Sequence, residues 1–587
     1  MATQQRSAVK RFWPALAILA FLWLSAFGIG LVAPATIPQF IGMTIGPPLA
    51  LLLLFVWWLR TSQDPWPGRL LPVGLALAGL GLASIVGHKT IPMVIFLYGI
   101  SLLSVAFVGW AFFTRHWLVK PRRWALVAAV LAACAPWTLM RSDGVDGEMH
   151  FELTSRWSPT AEERLLSDST AGSRQGSAAG LGNSDEQLEL NSPWPGFRGA
   201  QRDGVVPGLR LATDWQVSPP QELWKRPIGP GWSSFSLANG LLFTQEQRGE
   251  EEIVSAYRAA TGDLVWAHSD AARFWEAMAG AGPRATPTLY DGKVYSFGAT
   301  GILNALNASD GALLWSRNAA EDANAPTPDW GFSSSPLVVD GLVLVHTGGP
   351  DGKAVAAYSA ATGEPRWFAP AGPLSYSSFH LTTLGGVRQL LILTGDGIRG
   401  LSPTDGAVLW QHQWPVAGGA RVVQPAVTAD GGVLLGTGFG MGMRRLQVAR
   451  TSADWQVTES WTSKGLKPYY NDFVVHHGSV YGFDGSILSC IDLATGERQW
   501  KGGRYGNGQM LLLPDQDLLL VLSERGFVAL VEAVPSGFSE VARMEAIEGK
   551  TWNHPVIAEG VLYLRNGEEM AAYRLPLAAE RTTKTTG

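Results

Sequence analysis

At 587 residues the chain is too long for one ordinary hydrophobic core, so two or more units are expected. Charged residues make up only 16% and the net charge is −4, which argues against a nucleic-acid binder with its basic surplus. The two cysteines, Cys134 and Cys490, fall in segments of different character, so no disulfide is expected. No CxxC or His/Cys cluster suggests zinc.

The first 140 residues are apolar in five runs, at about 12–32, 38–59, 70–87, 91–113 and 124–139. Each is long enough, or nearly so, to cross ~30 Å of hydrocarbon. A cleaved signal peptide would account for the first run and not for the four after it. Arg6, Lys10 and Arg11 precede the first run, Arg60 and Arg69 lie between the second and third, and Arg115, Lys120, Arg122 and Arg123 lie between the fourth and fifth. The alternate loops carry only Lys89. This asymmetry predicts a cytoplasmic N-terminus, and five spans then put the rest of the chain outside, in the periplasm if the membrane is a bacterial inner membrane. The run interiors hold no Asp, Glu, Lys or Arg, so an anchor in the lipid bilayer is expected rather than an ion path.

Residues 141–193 read as a polar periplasmic linker with one short helix. Ser158 is the expected N-cap, Pro159 fits the first helical position, and Glu162 and Glu163 oppose the positive helix end. The Gly/Ser/Ala-rich stretch 170–186 reads as a flexible tether. A lead-in follows at 194–221, and a tail expected to be disordered closes the chain at 576–587.

Between them, over 222–575, an eleven-residue frame recurs at 256–266, 305–315, 357–367, 400–410 and 490–500. Each copy reads as a strand, a tight turn and a second strand ending on Trp. The turn glycine (Gly262, Gly311, Gly363, Gly406, Gly496) always stands four residues before the Trp. A looser copy ends at Trp461, and Glu222-Leu223-Trp224 is an outgoing strand alone. Spacings of about 40–50 residues are those of a propeller blade of four strands. Strand starts near Trp232, Ala285, Ser333, Ser377, Gln424, Asn471, Gly508 and Asn553 predict an all-β eight-bladed propeller behind an all-α transmembrane domain of about five helices. The last blade has room for three strands, so the early 222–228 segment is expected to complete it and seal the ring. A Trp at one fixed place per blade is expected to pack on the neighbouring blade, not to bind a ligand.

The frame resembles the tryptophan-docking repeat of pyrroloquinoline-quinone (PQQ) propellers, A-x-D-x-x-T-G-x-x-x-W, with Asp492, Thr495, Gly496 and Trp500 in place and Cys490 for the opening Ala. Trp194-Pro195-Gly196-Phe197-Arg198-Gly199 and Arg202-Asp203-Gly204 resemble the lead-in of bacterial PQQ-binding-like propeller proteins. The resemblance to quinoprotein dehydrogenases, including the membrane-bound glucose enzyme, implies PQQ and Ca²⁺ at the propeller mouth, a carboxylate base, and electrons from a sugar or alcohol passing to membrane quinone. The resemblance to the propeller lipoprotein of the outer-membrane β-barrel assembly machine implies a binding or scaffold module with no cofactor and with periplasmic or membrane proteins as partners. The chain lacks an adjacent Cys-Cys pair and a C-x-x-C-H, and its domain is shorter than the enzymes, so the scaffold is the reading adopted and the dehydrogenase the alternative.

The segments entering each blade are rich in Trp, Tyr, Arg, Asn and His, and in a propeller they gather on one face around the channel. Trp232, Arg284, Trp330, Tyr376, Gln424, Asn507, Gln509, Trp552 and His554 are the candidate contacts of a small-molecule ligand or cofactor there. Asn471, Asp472 and Asn553 are the candidate oxygen ligands of a divalent ion, and Asp472 is the base of the dehydrogenase alternative. Arg284 is the candidate cation for an anionic ligand, or else pairs Asp472 and holds two blades together.

Overall fold

The computed structural model describes residues 2–32, 37–172, 192–416, 421–452 and 454–578. Most of the expected tether at 170–186, and all but three residues of the expected disordered tail, lie outside them. The chain divides into two compact units, Met1–Ser158 with Ala277–Ala279, and Pro159–Glu276 with Gly280–Gly587.

Unit 1 is a helical bundle. Helix α1 (Ala2–Trp23) continues through a π-helical turn at Leu24–Gly28 into Ile29–Val32. It is followed by α2 (Ile37–Thr61), α3 (Trp66–Val86), α4 (Ile100–Phe113, led in by Pro92–Val94 and a second π-helical turn, Ile95–Gly99) and α5 (Val119–Thr138). Pro47 and Pro48 lie within α2, which runs on through them.

Among the described residues four stretches are long and apolar enough to cross a membrane: Phe12–Val32, Pro38–Thr61, Trp66–Val86 and Pro92–Phe113. The expected fifth, α5, opens with Lys120, Arg122 and Arg123, which lower its hydropathy. It nevertheless runs the length of the bundle. At its start Arg122 pairs with Asp64 of the α2–α3 loop at 3.0 Å and lies over the rings of Trp58 and Trp110. Beyond its end the Ser142 N–H donates to Thr90 Oγ1 of the α3–α4 connection at 2.8 Å, and Arg156 donates to the carbonyls of Val86 and Thr138. Unit 1 thus has five long helices, four of which are apolar enough to cross a membrane. A hairpin, Met140–Val145 with Phe151–Ser155, completes it where only a linker was expected.

Unit 2 opens on α6 (Ala161–Gly172). Its cap is Thr160, not Ser158. Thr160 Oγ1 accepts the Glu163 N–H at 3.0 Å, and Glu163 Oε2 accepts the Thr160 N–H at 2.7 Å, a reciprocal capping box. Glu162 holds this helix to the first blade through Arg273 at 2.8 Å and the Gly249 N–H.

The rest is an eight-bladed propeller of four-stranded antiparallel sheets. The first strands of the blades are Ser236–Ala238, Thr288–Tyr290, Leu337–Val339, His380–Leu384, Ala426–Val427, Val474–His476, Gln509–Leu513 and Val556–Ala558. Blade 8 takes its fourth strand from Gln221–Pro227, which pairs antiparallel with Glu569–Arg574 from Gln221↔Arg574 to Pro227↔Glu569. That closure removes the open edge.

The repeat tryptophans dock between blades. Trp224, Trp266, Trp315, Trp367 and Trp461 lie on Gly262, Gly311, Gly363, Gly406 and Gly496 of the following blade, where an added Cβ would stand 2.5–2.8 Å from the indole. The turn glycine therefore supplies both a φ of 73–75° and the absence of a side chain. Most of these indoles also donate to a carbonyl of the next blade, as Trp224 to Ala259 at 2.9 Å and Trp315 to Ala360 at 3.0 Å. Trp410 and Trp500 precede blades 5 and 7, which lack a left-handed turn glycine at this place. Trp410 bonds Gln389 of its own blade; Trp500 donates to Val534 at 2.8 Å and packs on Phe538. Both cysteines are free and buried.

Candidate functional site

Apart from Gln509, which opens the first strand of blade 7, the blade-entry residues precede the first strands, and their side chains are used sideways. The Ser234 N–H donates to Thr286 Oγ1 (3.0 Å), Thr286 N–H to Ser335 Oγ (3.0 Å), and Ser335 N–H to Ser378 Oγ (2.9 Å). Gln424 Nε2 donates back to the Phe379 carbonyl, and the Gln424 N–H to Asp472 Oδ1, both at 2.9 Å. Gln509 Nε2 donates to the carbonyls of Tyr470 (3.2 Å) and Trp552 (2.9 Å). Asn553 Nδ2 closes the circle on Gly231 and Ser233 (3.2 and 2.7 Å). This belt links all eight blades and satisfies backbone groups that the short first strands leave unpaired.

Inside the belt lies the lead-in. Trp194 pairs with Leu237 of blade 1, and the Pro195 carbonyl accepts the Leu289 N–H of blade 2 at 2.7 Å. The chain then folds tightly, with Arg198 and Arg202 both in the left-handed region at φ 60° and 56°. Gly204 lets it pass, since a Cβ there would stand 3.1 Å from the Arg198 guanidinium. Arg202 donates to the carbonyls of Pro336 (2.9 Å) and Ser335 (3.0 Å) in blade 3. Arg198 donates to Asp203 (2.8 Å) and, in blade 6, to Phe473 (2.9 Å), with its other nitrogen 3.6 Å from Asp472. The segment leaves along blade 7, where Gly204 and Val206 bond Leu512, and reaches blade 8 at Pro576. The protein's own chain therefore occupies the propeller axis.

Asp472 is the centre of charge. Its side chain is 5% exposed, Arg198 is 3% exposed, and His554 Nε2 lies 3.2 Å from its other oxygen. Burial works against the carboxylate, yet Arg198 and His554 outweigh it and hold the Asp472 pKa below the usual range. Burial lowers the His554 pKa in spite of Asp472. Arg202 is brought down to about 10 by burial and by Arg198, and His380 to about 4 by burial and both arginines.

The other candidates separate into two groups. Arg284 does not meet Asp472. It pairs Glu276 at 3.2 Å, bonds the carbonyls of Gly280 and Gly282, and covers Phe274. Burial lowers its pKa to about 10. Asn507, by contrast, is tied through its N–H to Glu524 Oε2 at 3.1 Å. Trp232 and Trp552 pack tilted at 4.7 Å between centroids, and the arc continues through Tyr470 (4.7 Å), Tyr469 (5.0 Å) and Phe439 (4.9 Å). Lys550 lies over both tryptophans, and Trp552 Nε1 donates to Glu524 at 2.7 Å. Trp330 and Tyr376 form a separate pair at 5.1 Å. Among the described residues Gln424 Oε1, Asn471 Nδ2, Asn507 Nδ2, Gln509 Oε1, Asn553 Oδ1 and His554 Nδ1 are buried without a protein partner. Such a set suits water or a neutral polar molecule.

It does not suit Ca²⁺. Asn471 Oδ1 accepts the Tyr469 N–H and Asp472 Oδ1 the Gln424 N–H, which leaves Asn553 Oδ1 the one unpartnered amide oxygen of the candidate ion ligands. The guanidinium of Arg198 stands beside Asp472, the one carboxylate of the candidate set, in place of a metal cation. Sequence reasoning missed Arg198, Arg202 and Glu524. The signal available was a Gly-spaced run holding two arginines, Arg198-Gly199 through Arg202-Asp203-Gly204.

The repeat is placed by comparison. Residues 249–502 match the family model of the outer membrane protein assembly factor BamB. The propeller thus carries a BamB-like repeat. Among solved structures the chain is similar to BamB from Moraxella catarrhalis, at 15% identity and TM-score 0.45, over 61% of this chain and 100% of that one. It is similar also to the quinohemoprotein alcohol dehydrogenase ADHIIG from Pseudomonas putida HK5, at 14% identity and TM-score 0.46, over 66% and 81%. A quinohemoprotein alcohol dehydrogenase from Comamonas testosteroni matches at 11% identity and TM-score 0.40, over 70% and 84%. No curated protein matches the sequence. Likeness at this level reaches both classes and separates neither.

Proposed function

We propose that the chain is a membrane-anchored BamB-like propeller that acts as a binding or scaffold module and not as a PQQ dehydrogenase. One observation carries this reading: the axis is filled by the lead-in, and Asp472, the residue a dehydrogenase would need as base or metal ligand, is locked between Arg198 and His554. A carboxylate held ionised by a buried guanidinium is a poor proton acceptor, because a depressed pKa leaves little driving force for taking up a proton. The face left for recognition is the half-buried aromatic arc from Trp232 to Phe439, whose residue types are those that anchor protein interfaces.

With α5 as a fifth crossing, the basic residues Arg60, Arg69, Arg115, Lys120, Arg122 and Arg123 at alternate loops support a cytoplasmic N-terminus and a periplasmic propeller in a bacterial inner membrane. The test is titration of PQQ, with and without Ca²⁺, into the purified full chain, together with dye-linked oxidation of sugars and alcohols. No saturable binding and no dye reduction are expected. Saturable, Ca²⁺-dependent binding with turnover would return the dehydrogenase.

A further inference from the structure

Away from the axis, the first turn of blade 6 is unlike its counterparts. These turns join the first two strands of a blade, and the left-handed position that opens them is Asn239, Asp291, Asp340, Gly385 or Glu559 in blades 1, 2, 3, 4 and 8. In blade 6 it is His477, at φ 44°, followed by Gly478 at φ 75°. Adjacent strand residues point to opposite faces. Here the turn brings the rings of His476 and His477 to the same side, 3.9 Å apart between centroids.

Blade 7 answers with a longer turn, a 3-10 stretch at Pro514–Gln516 ending in Asp517 at φ 52°. Asp517 Oδ1 lies 2.7 Å from His476 Nε2 and 3.4 Å from His477 Nε2. All three potential ligand atoms lie within 4.8 Å of one another.

We propose that His476, His477 and Asp517 form a binding site for one divalent transition-metal ion of the zinc class. Two imidazoles and a carboxylate are the donor set such ions take, with bonds of about 2.0–2.2 Å. Two donors on one such ion stand about 3.0–3.4 Å apart in octahedral or tetrahedral geometry. The observed 2.7 and 3.4 Å fall near that spacing. His477 and Asp517 are 75% and 50% exposed on their side chains and His476 8%, so an ion can enter from solvent while one ligand is fixed in the sheet. Three protein ligands leave at least one position for water.

The ion would tie blade 6 to blade 7 where the lead-in leaves the axis. The same blade 7 turn is gripped by that segment: Asp515 accepts the Gly208 N–H at 2.6 Å, its carbonyl accepts from Arg210, and Gln516 Nε2 donates to the Leu211 carbonyl at 2.9 Å. Metal occupancy therefore stiffens the clamp on the axial plug.

The test uses the full chain purified in detergent without a polyhistidine tag. Calorimetric titration with Zn²⁺ should give one saturable site, and Co²⁺ should give visible ligand-field bands that Zn²⁺ displaces. Asn tolerates the left-handed backbone of both exposed ligands, so His477→Asn and Asp517→Asn keep the turns. Each should weaken binding about 100-fold or more, since even outer-shell partners are worth about 10–100-fold. In wild type, Zn²⁺ should protect His477 from diethylpyrocarbonate, a readout that needs no variant. Absence of saturable Zn²⁺ and Co²⁺ binding, binding equally strong in both variants, or an unprotected His477 would each overturn the site.

Discussion

Replacing Arg198 by Met tests whether the axial plug is a charge clamp. Met nearly keeps the length and apolar volume of the side chain and removes only the guanidinium. Asp472 is then left 5% exposed beside His554, whose pKa burial still lowers. A buried charge that loses its partner costs about 3–5 kcal/mol. The lost bonds to the Asp203 and Phe473 carbonyls fall within that range. In Arg198→Met/Asp472→Asn both charges go, and Asn can still accept the Gln424 N–H, so most of the loss should return. A coupling of about 2 kcal/mol or more is expected. The assay is the denaturant midpoint of the full chain in detergent, read by tryptophan fluorescence at pH 7 in low and in high salt. Salt should change little, because buried pairs are poorly screened. A single variant that loses less than about 1 kcal/mol, or a double variant no better than the single, would refute the clamp. The axis would then be wet, and open to a ligand.

Trp500→Ala should cost about 3–5 kcal/mol, because the indole is buried between blades 6 and 7 and bonded to Val534; unchanged stability would contradict interblade docking. Acid should destabilise the propeller through its buried histidines, and Glu252, whose carboxyl burial pushes up to about 7, offsets part of that loss by taking up a proton first. Burial holds His346 and His380 down to about 4, so they stay neutral when folded; their contribution is complete above an unfolded pKa of about 6.5 and is lost as pH falls toward 4, about 2 kcal/mol each by pH 5. Asp472, with its lowered pKa, adds its loss only below about pH 4, and a flat stability profile between pH 7 and 5 would sink the argument. Reporter fusions after Arg69, Arg123 and Ser192 should read cytoplasm, cytoplasm and periplasm; a cytoplasmic signal at Ser192 would mean that α5 does not cross.

The architecture was legible because one frame carries a rigid geometric demand. A turn glycine at φ near 74° with a tryptophan four residues later is a local pattern, and its repetition fixes blade spacing whatever the intervening residues are. Closure through 222–228 followed from the same count, and the structure places that strand at Gln221–Pro227. Blade 5 carries no such turn. Its outer hairpin, Gly442–Arg450 with Trp455–Ser463, is joined by a longer loop, and Trp410 turns back onto Gln389 for want of a glycine to cover. The cap of α6 was misplaced by two residues for a simple reason. Ser158-Pro159 and Thr160-x-x-Glu163 are both valid starts, and only the reciprocal bonds of Thr160 and Glu163 decide between them.

The candidate site was legible in position and not in partnership. Entry residues do ring the axis, but what each does depends on residues far away in sequence. Asp472 looks like a metal ligand until Arg198, 274 positions earlier, is placed beside it. Arg284 looks like a free cation until the short hairpin at Trp275–Glu276 and Gly280–Ala281 supplies Glu276. Sequence shows a residue's chemistry and its blade, while the charge that neutralises it arrives through a segment with no periodicity. The lead-in has no strand pattern, and its left-handed Arg198 and Arg202 violate the usual preference for Gly at such φ. A non-periodic, Gly-spaced stretch with two arginines next to a propeller therefore implies a plug that supplies its own counter-charge, and it lowers the expectation of a cofactor on the axis.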